Sequence, residues 1–209
     1  MRHAHFQELS TGQGKRERTR SALLDAAVSV VAEKGMDGAK ITDITTAAGM
    51  ANGTFYNHFN DKDEILRTAA YGIAFEVSRQ IDAEMDEIED AAARVVTATS
   101  RFIAILAAAP DWAAVLLDGA DHLPEVRKDL YKYLRGDIER GVAQGKFDVE
   151  VDTFLLDQVV ALVAVAVRAR LRGKPDPSLA SRVCESILRL LGMSPARARK
   201  ASSRSVPPL

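Results

Sequence analysis

Residues 41–66 of the chain, ITDITTAAGMANGTFYNHFNDKDEIL, contain the pattern that decides its fold. Ile41, Ile44 and Ala48 follow one another at spacings of three and four, which predicts a short amphipathic helix. Gly49 ends that helix, because glycine takes the left-handed backbone of a tight corner without strain. The sequence therefore predicts a helix that stops abruptly and leads into a sharp turn.

A second short helix is expected after the turn, over residues 51–59. Phe55 and Phe59 are four residues apart and so share one side of this helix, which we expect to be buried. The other side is polar and nearly uncharged, and it carries Asn52, Thr54, Tyr56, Asn57 and His58. Two helices joined by a glycine-containing turn form the unit that places its second helix in the major groove of DNA.

This stretch resembles the helix-turn-helix signature of TetR-type transcriptional regulators. The segment AAGMANGTFYNHFNDKDEIL, residues 47–66, is similar nearly residue by residue. The preceding LLDAAVSVVAEKGMDGAKITDI, residues 23–44, resembles the helix that supports the motif. The specific resemblance covers residues 15–67. It implies a bacterial transcription regulator, most often a homodimeric repressor that a small molecule releases from a palindromic operator in double-stranded DNA.

The resemblance also implies a division of labour among the DNA-binding residues. Tyr56 and His58 correspond to the pair that holds phosphates beside the groove. Lys62, at the start of the next helix, is expected to bind a phosphate as well, because a cation there gains nothing from the helix dipole. Asn52 and Asn57 are the candidates for reading bases, and asparagine pairs best with adenine.

Five further positions complete this picture, and two of them depart from the family pattern. Gly53 lets the backbone approach DNA closely, and Thr54 offers a hydroxyl and a methyl group. Family members often have Ser or Thr where this chain has Lys40 and Ala51. Lys40 can still meet a phosphate as a point charge, and Thr42 is expected to replace it as the cap of the first helix.

The remaining chain is helical in pattern, because apolar residues recur with a period near 3.6 and glycine and proline are sparse. The predicted helices cover 15–34, 61–88, 90–108, 112–117, 124–143, 151–171 and 178–191. The expected fold is all-α, with an N-terminal three-helix DNA-binding domain and a C-terminal helical bundle. The expected divisions are a disordered tail over 1–14, the DNA-binding domain over 15–67, the ligand-binding and dimerisation domain over 68–192, and a basic disordered tail over 193–209.

Charge is distributed unevenly along a chain whose net charge is only −1. Residues 1–20 contain five Lys or Arg against two Glu, and residues 194–209 contain four Lys or Arg and no acid. The part between is therefore acidic. This pattern is typical of a protein that meets a polyanion locally rather than over its whole surface. The N-terminal charge leads into the motif and favours DNA contact, whereas the C-terminal charge favours a merely solubilising tail.

The last two helices are expected to form the dimer seam, because their apolar surface exceeds what one subunit can cover. The predicted interface residues are Leu155, Val159, Leu162, Val183, Ile187 and Leu190. A pocket in the C-terminal bundle is implied by the resemblance, and its predicted lining residues are Phe75, Phe102, Trp112, Tyr131 and Arg168. Such a lining favours an apolar ligand, aromatic or acyl, with Arg168 able to meet an acidic group.

Other classes of protein are disfavoured by what the sequence lacks. An enzyme is not expected, because there is no nucleophile motif, zinc-ligand spacing or phosphate loop, and no metal or cofactor is expected either. His122 with Asp118 and Asp121 is interpreted as a polar loop, and the lone Cys184 as a buried apolar group in a reducing cytoplasm. No signal peptide or membrane span is expected. The alternative function is a helix-turn-helix protein without a small-molecule ligand, controlled by a protein partner or acting architecturally.

Overall fold

The computed structural model describes residues 5–9, 12–82, 85, 87–173 and 176–203. These residues form α-helices and no β-strand, which confirms the all-α prediction. The helices are α1 (His5–Leu9), α2 (Lys15–Gly38), α3 (Ile41–Ala47), α4 (Asn52–Tyr56), α5 (Lys62–Asp82), α6 (Ala91–Ala108), α7 (Pro110–His122), α8 (Pro124–Ala143), α9 (Thr153–Arg172), α10 (Leu179–Leu190) and α11 (Pro195–Ser202).

The chain divides into two compact units. The first contains Met1–Phe75 and Ala109–Arg127, and its α2 packs against α1, α3 and α7. Phe55, Phe59 and Ile65 are fully buried in this unit, so α4 and the start of α5 are fixed by apolar packing. The predicted DNA-binding domain over 15–67 lies entirely within it.

The second unit contains Glu76–Ala108 and Lys128–Leu209. Here α6 packs against α9, α10 and α11. Its core includes Val95, Ile138, Leu156, Ile187 and Leu191, drawn from four of the helices and the turn after α10. The buried Cys184 belongs to the same core, and burial raises the pKa of its thiol to about 11, which keeps it protonated and inert.

Helices α5 and α7 differ most in extent from the prediction, and α4 covers only Asn52–Tyr56 instead of the predicted 51–59. Helix α5 ends at Asp82, although its apolar pattern predicted a helix to residue 88. The Arg94 guanidinium donates to the carbonyl oxygens of Met85 and Ile88 at 2.6 and 3.3 Å, and neither of these residues is helical. Helix α7 is longer than predicted, because Pro110 begins it instead of breaking the chain.

Both predicted disordered tails contain helices in the described residues. Helix α11 forms within 193–209 because Ala198 and Ser202 are buried and Pro195 stands in its first turn. Helix α1 forms within 1–14 and buries Phe6. Residues 1–4, 10–11 and 204–209 of these tails lie outside the described residues.

Helix α6 is the one helix in the described part of the chain that is long and apolar enough to cross a membrane. Half of that stretch is buried inside the protein. Its apolar residues Val95, Val96, Ile103 and Leu106 are all buried in the protein.

Candidate nucleic-acid interface

The two helices of the motif are joined by a turn that glycine makes possible. Gly49 has φ +66°, the left-handed conformation in which other residues are strained. The N–H of Gly49 donates to the carbonyl of Thr46 at 3.1 Å, and that of Met50 to Thr45 at 2.8 Å. These bonds satisfy the last carbonyls of α3 and set the direction in which α4 leaves.

Helix α4 is anchored through one side, as the phenylalanine spacing predicted. The rings of Phe55 and Phe59 are 5.8 Å apart and fully buried. The ring of Tyr56 meets Phe55 edge-on at 5.4 Å, but most of Tyr56 is exposed. The anchored side therefore leaves the opposite side of α4, with its polar residues, facing solvent.

The residues predicted to read bases lie on the exposed side of α4, but they differ in exposure and in hydrogen bonding. Asn57 and Gly53 are exposed, and Thr54 is half-buried. The amide oxygen of Asn52, an exposed residue, accepts a hydrogen bond from the Thr45 hydroxyl at 2.5 Å. One acceptor position of Asn52 is thus occupied before any base is met, whereas the exposed Asn57 presents its side chain to solvent at the end of α4.

The start of α3 is capped differently from the prediction. Lys40 is the N-cap residue, and the carboxylate of Asp43 accepts its backbone N–H at 3.2 Å. Lys34 lies 2.8 Å from Asp43 and lowers the pKa of that carboxyl, mainly through a hydrogen bond. Thr42 lies inside α3 rather than before it, so the expectation that Thr42 caps the helix is wrong. Both Lys40 and Thr42 remain exposed.

The start of α5 is capped by the side chains of Asp61 and Glu64. The carboxylate of Asp61 accepts the N–H of Glu64 at 2.7 Å, and Glu64 in turn accepts the N–H of Asn60 at 2.7 Å. Lys62 follows in the first turn, and its ammonium group donates to the carbonyl of Met36 at 3.2 Å. That bond fixes the lysine beside the motif and uses one of its three donors.

Two arginines near the motif were not singled out from the sequence. The guanidinium of Arg20 lies 4.9 Å from the centre of the Phe59 ring. Burial lowers the pKa of His58, and the positive charges of Arg16 and Arg20 lower it further. Arg16 and Arg20 are four residues apart on α2 and therefore share a face, which is the signal that could have identified them. Together with His58 they form a basic edge beside α4.

The predicted ligand-binding residues are divided between the two units. Phe75, which is exposed, and Trp112, which is buried, belong to the first unit. Phe102, Tyr131 and Arg168 belong to the second and are half-buried, and the Tyr131 hydroxyl donates to Asp157. Their assignment to a common pocket stays a prediction.

Buried charged side chains in the second unit were missed from the sequence. Arg101 and Glu76 are both more than nine-tenths buried. The carboxylate of Glu76 accepts hydrogen bonds from Arg79 at 2.6 and 2.9 Å and from Gln80 at 2.8 Å. A shallow cleft of about 250 Å³ in the same unit is lined partly by Lys146, and none of the five predicted ligand-binding residues borders it.

Three of the predicted interface residues lie in the core of their own chain. Leu155, Val159 and Ile187 are buried among the helices of the second unit, so they have almost no surface left for a partner. Leu162, Val183 and Leu190 are half-buried. The apolar surface of α9 lies instead on the face of Phe154, which is 69% exposed, and Val165, which is 63% exposed, with Ala161 between them. Their spacings of seven and four place them on one helical stripe.

Comparisons with known proteins extend over both units. The family model described as bacterial regulatory proteins, tetR family, matches residues 23–69. The HTH-type transcriptional repressor KstR2 of Rhodococcus jostii is 30% identical over 163 residues, which are 71% of this chain and 78% of that protein. The fatty acid metabolism regulator protein of Bacillus subtilis is 25% identical over 146 residues, 66% of this chain and 75% of that protein.

A solved structure shows the same similarity in three dimensions. The crystal structure of RolR in complex with the ligand resorcinol has a TM-score of 0.72 and 26% identity. The match covers 92% of this chain and 97% of that one. Both sequence relatives are named as regulators, and among the described residues of this chain no group of three or more His, Cys, Asp or Glu could hold a metal ion.

Proposed function

The chain belongs to the TetR family of bacterial transcription regulators, and from this premise we propose that it is a homodimeric, sequence-specific repressor that a small apolar or aromatic ligand releases from its operator. The observation that carries the proposal is the two-sided α4. Phe55 and Phe59 anchor one side in the core, and the other side presents polar groups that pair with base edges and phosphates.

Base reading falls chiefly to Asn57. A bidentate contact with adenine needs both the amide oxygen and the amide NH₂ group of an asparagine. Asn52 has its oxygen engaged by Thr45, whereas Asn57 is exposed at the end of α4. Asn52 keeps its NH₂ donors and one lone pair of its oxygen, but its orientation is already fixed by Thr45, so Asn57 is the residue that discriminates between bases. Gly53 and Thr54 allow the backbone of α4 to come close to the groove.

Phosphate binding falls to the residues around the two ends of the motif. Tyr56 is exposed and presents its hydroxyl, and Lys62 keeps two donors beyond its bond to Met36. His58 is a neutral donor in the free protein at pH 7, because its pKa is below the ordinary value. Lys40 and Thr42 are exposed at the start of α3 and add a charge and a hydroxyl.

Dimerisation uses the exposed stripe of α9. A single helix-turn-helix makes too few contacts for tight specific binding, so two copies are needed on one operator. Phe154, Ala161 and Val165 supply an exposed apolar face on α9, and Leu162, Val183 and Leu190 are half-buried, so part of each side chain also remains exposed. Covering this face with the same face of a second copy removes large apolar side chains from water.

The ligand is proposed to be small and apolar or aromatic. RolR, of similar fold, binds the small aromatic diol resorcinol, and the Bacillus subtilis relative is named for fatty acid metabolism. In the second unit, Phe102 and Tyr131 supply apolar contacts and Arg168 meets an acidic group of the ligand. Because α5 carries Lys62 at its start and Phe75 about 20 Å further along, a ligand that displaces this helix would move a phosphate contact.

The test is selection of bound duplexes from a random DNA library with the purified protein. The expected result is a near-palindrome whose half-sites are separated by one helical turn or a multiple of it. A thermal-shift screen of aromatic and acyl acids then supplies candidate ligands. A true inducer lowers the affinity for the selected duplex and is itself bound more weakly by the same factor in its presence. Failure to enrich any sequence would refute the DNA-binding proposal.

A further inference from the structure

The carboxylate of Asp25 holds the start of the N-terminal helix. Asp25 is 8% exposed in the middle of α2, where an unpaired carboxylate would be costly. One of its oxygens accepts the backbone N–H of Phe6 at 3.0 Å, and the other accepts that of Gln7 at 3.0 Å. First-turn N–H groups have no acceptor inside their own helix, so α1 is capped by a side chain of a different helix.

Helix α5 provides a second anchor for the same segment. Phe6 is 9% exposed, and its ring lies directly on Gly72. A Cβ added to Gly72 would lie 2.4 Å from Cε1 and 2.8 Å from Cζ of that ring, closer than atoms can approach. Glycine inside a helix costs about 1 kcal/mol relative to alanine. The contact with the Phe6 ring therefore explains why glycine occupies position 72 in the middle of α5.

The segment that these anchors hold leads directly into the basic start of α2. Only residues 10–14 separate the two helices. The N-cap residue of α2 is Gly14, which has no side chain to cap the helix. The first turns of α2 carry Lys15, Arg16 and Arg18, all exposed, and Arg16 acts electrostatically on His58. Fraying of this uncapped start would carry the three charges away from the motif.

We propose that residues 5–9 form a strap that positions the basic start of α2 for DNA binding, with Phe6, Asp25 and Gly72 as the positioning residues. None of the three touches DNA in this proposal, which rests on the proposed function. The strap fastens α1 to α2 through a carboxylate and to α5 through an aromatic ring. Its release leaves α4 intact but frees the N-terminal end of α2.

The experiment uses Gly72→Ala, Phe6→Ala and the double variant of the full chain. Gly136→Ala is the matched control, because a Cβ added at Gly136, also in a helix, meets nothing within 4 Å. Two readouts are measured: the pKa of His58 in the free protein by NMR titration, and the dependence of DNA affinity on salt. Damage elsewhere in the fold would not raise the pKa of His58 and lower the salt dependence together. Thermal unfolding verifies that each variant is folded.

The expected result is that Gly72→Ala and Phe6→Ala each raise the pKa of His58, because Arg16 moves away from it. Each should also lower the salt slope by about 0.9 for every phosphate that the protein no longer binds, and the double variant should add nothing further. Unchanged pKa and slope in both folded single variants would overturn the proposal, as would full additivity in the double variant. If wild-type protein does not bind DNA, the proposed function fails, while the His58 measurement still decides whether the strap positions Arg16.

Discussion

Replacement of Lys62 by glutamine should weaken binding to all DNA sequences alike. Lys62 begins α5, and its ammonium group is held beside the motif by the Met36 carbonyl. One phosphate contact contributes about 0.9 to the slope of log affinity against log salt. A dimer carries this lysine twice, so the slope should fall by about 1.8. Between about 50 and 200 mM salt, wild type should therefore lose about 12-fold more affinity than the variant does.

The stability of the same variant should change little. Loss of the bond to Met36 costs about 1.5 kcal/mol, the lower end for a bond from a charged group, because the bond is long and only partly buried. Removing a cation from the first turn of α5 offsets about 0.3–1 kcal/mol of this, because the helix dipole disfavours positive charge there. The net loss of stability is therefore about 0.5–1 kcal/mol. The melting temperature should therefore stay within a few degrees of the wild-type value, which separates a DNA-contact effect from a folding effect.

The assay is fluorescence anisotropy with a labelled duplex at four or more salt concentrations. Lys132→Gln is the matched control, because Lys132 is an exposed lysine of α8 in the second unit. That variant should keep the wild-type slope. An equal slope for Lys62→Gln and wild type would refute the phosphate role of Lys62. A loss of affinity confined to one DNA sequence would refute it as well, because a phosphate contact carries no base information.

Three other parts of the structure can be tested in the same way. Val165→Glu places a charge on the exposed stripe of α9, and sedimentation at micromolar concentration should then show a monomer. The control variant Glu139→Gln, which changes an exposed residue of α8, should stay dimeric. Asp61→Ala removes the cap of α5 and should cost about 1 kcal/mol in chemical denaturation; an unchanged midpoint would show that the bond to Glu64 contributes nothing. The pKa of His122 is raised, mainly by its hydrogen bond to the Asp118 carbonyl and further by the charge of Asp37. Protonated His122 therefore stabilises the fold fully below about pH 6.5, and this stabilisation is lost as pH rises through the pKa of the folded state. The melting-temperature advantage of wild type over His122→Gln should therefore be larger at about pH 5.5 than at about pH 8.5.

Local chemistry explains which parts of the fold could be predicted from the sequence. Gly49 and the Phe55–Phe59 pair act over a few residues, and their turn and buried side were predicted correctly. The non-helical conformation of Met85 and Ile88 could not be predicted, because the Arg94 guanidinium that binds their carbonyl oxygens belongs to a different helix. Helix α11 was missed for the same reason, since a basic, serine-containing segment shows no pattern that reveals the burial of Ala198.

The candidate site shows the same division between local and distant effects. The exposure of Asn57 and Tyr56 followed from helical spacing alone. Sequence could not reveal that Thr45 engages Asn52, because that bond joins the two helices across the turn. The dimer face was assigned to Leu155 and Val159 because α9 is apolar on two faces, and sequence does not show which face the chain itself covers. The structure shows that Leu155 and Val159 are buried within their own chain, whereas Phe154 is exposed.

The base preference of Asn57→Ala is the most direct test of how α4 reads DNA. Every base pair of the duplex selected by wild type is replaced in turn, and the affinities of wild type and variant are compared at fixed salt. We expect the variant to lose about 1–3 kcal/mol of discrimination at one base pair in each half-site, symmetrically placed, and to keep its preference elsewhere. A uniform loss at all positions, or an unchanged preference at every base pair, would contradict the claim that α4 reads DNA through Asn57.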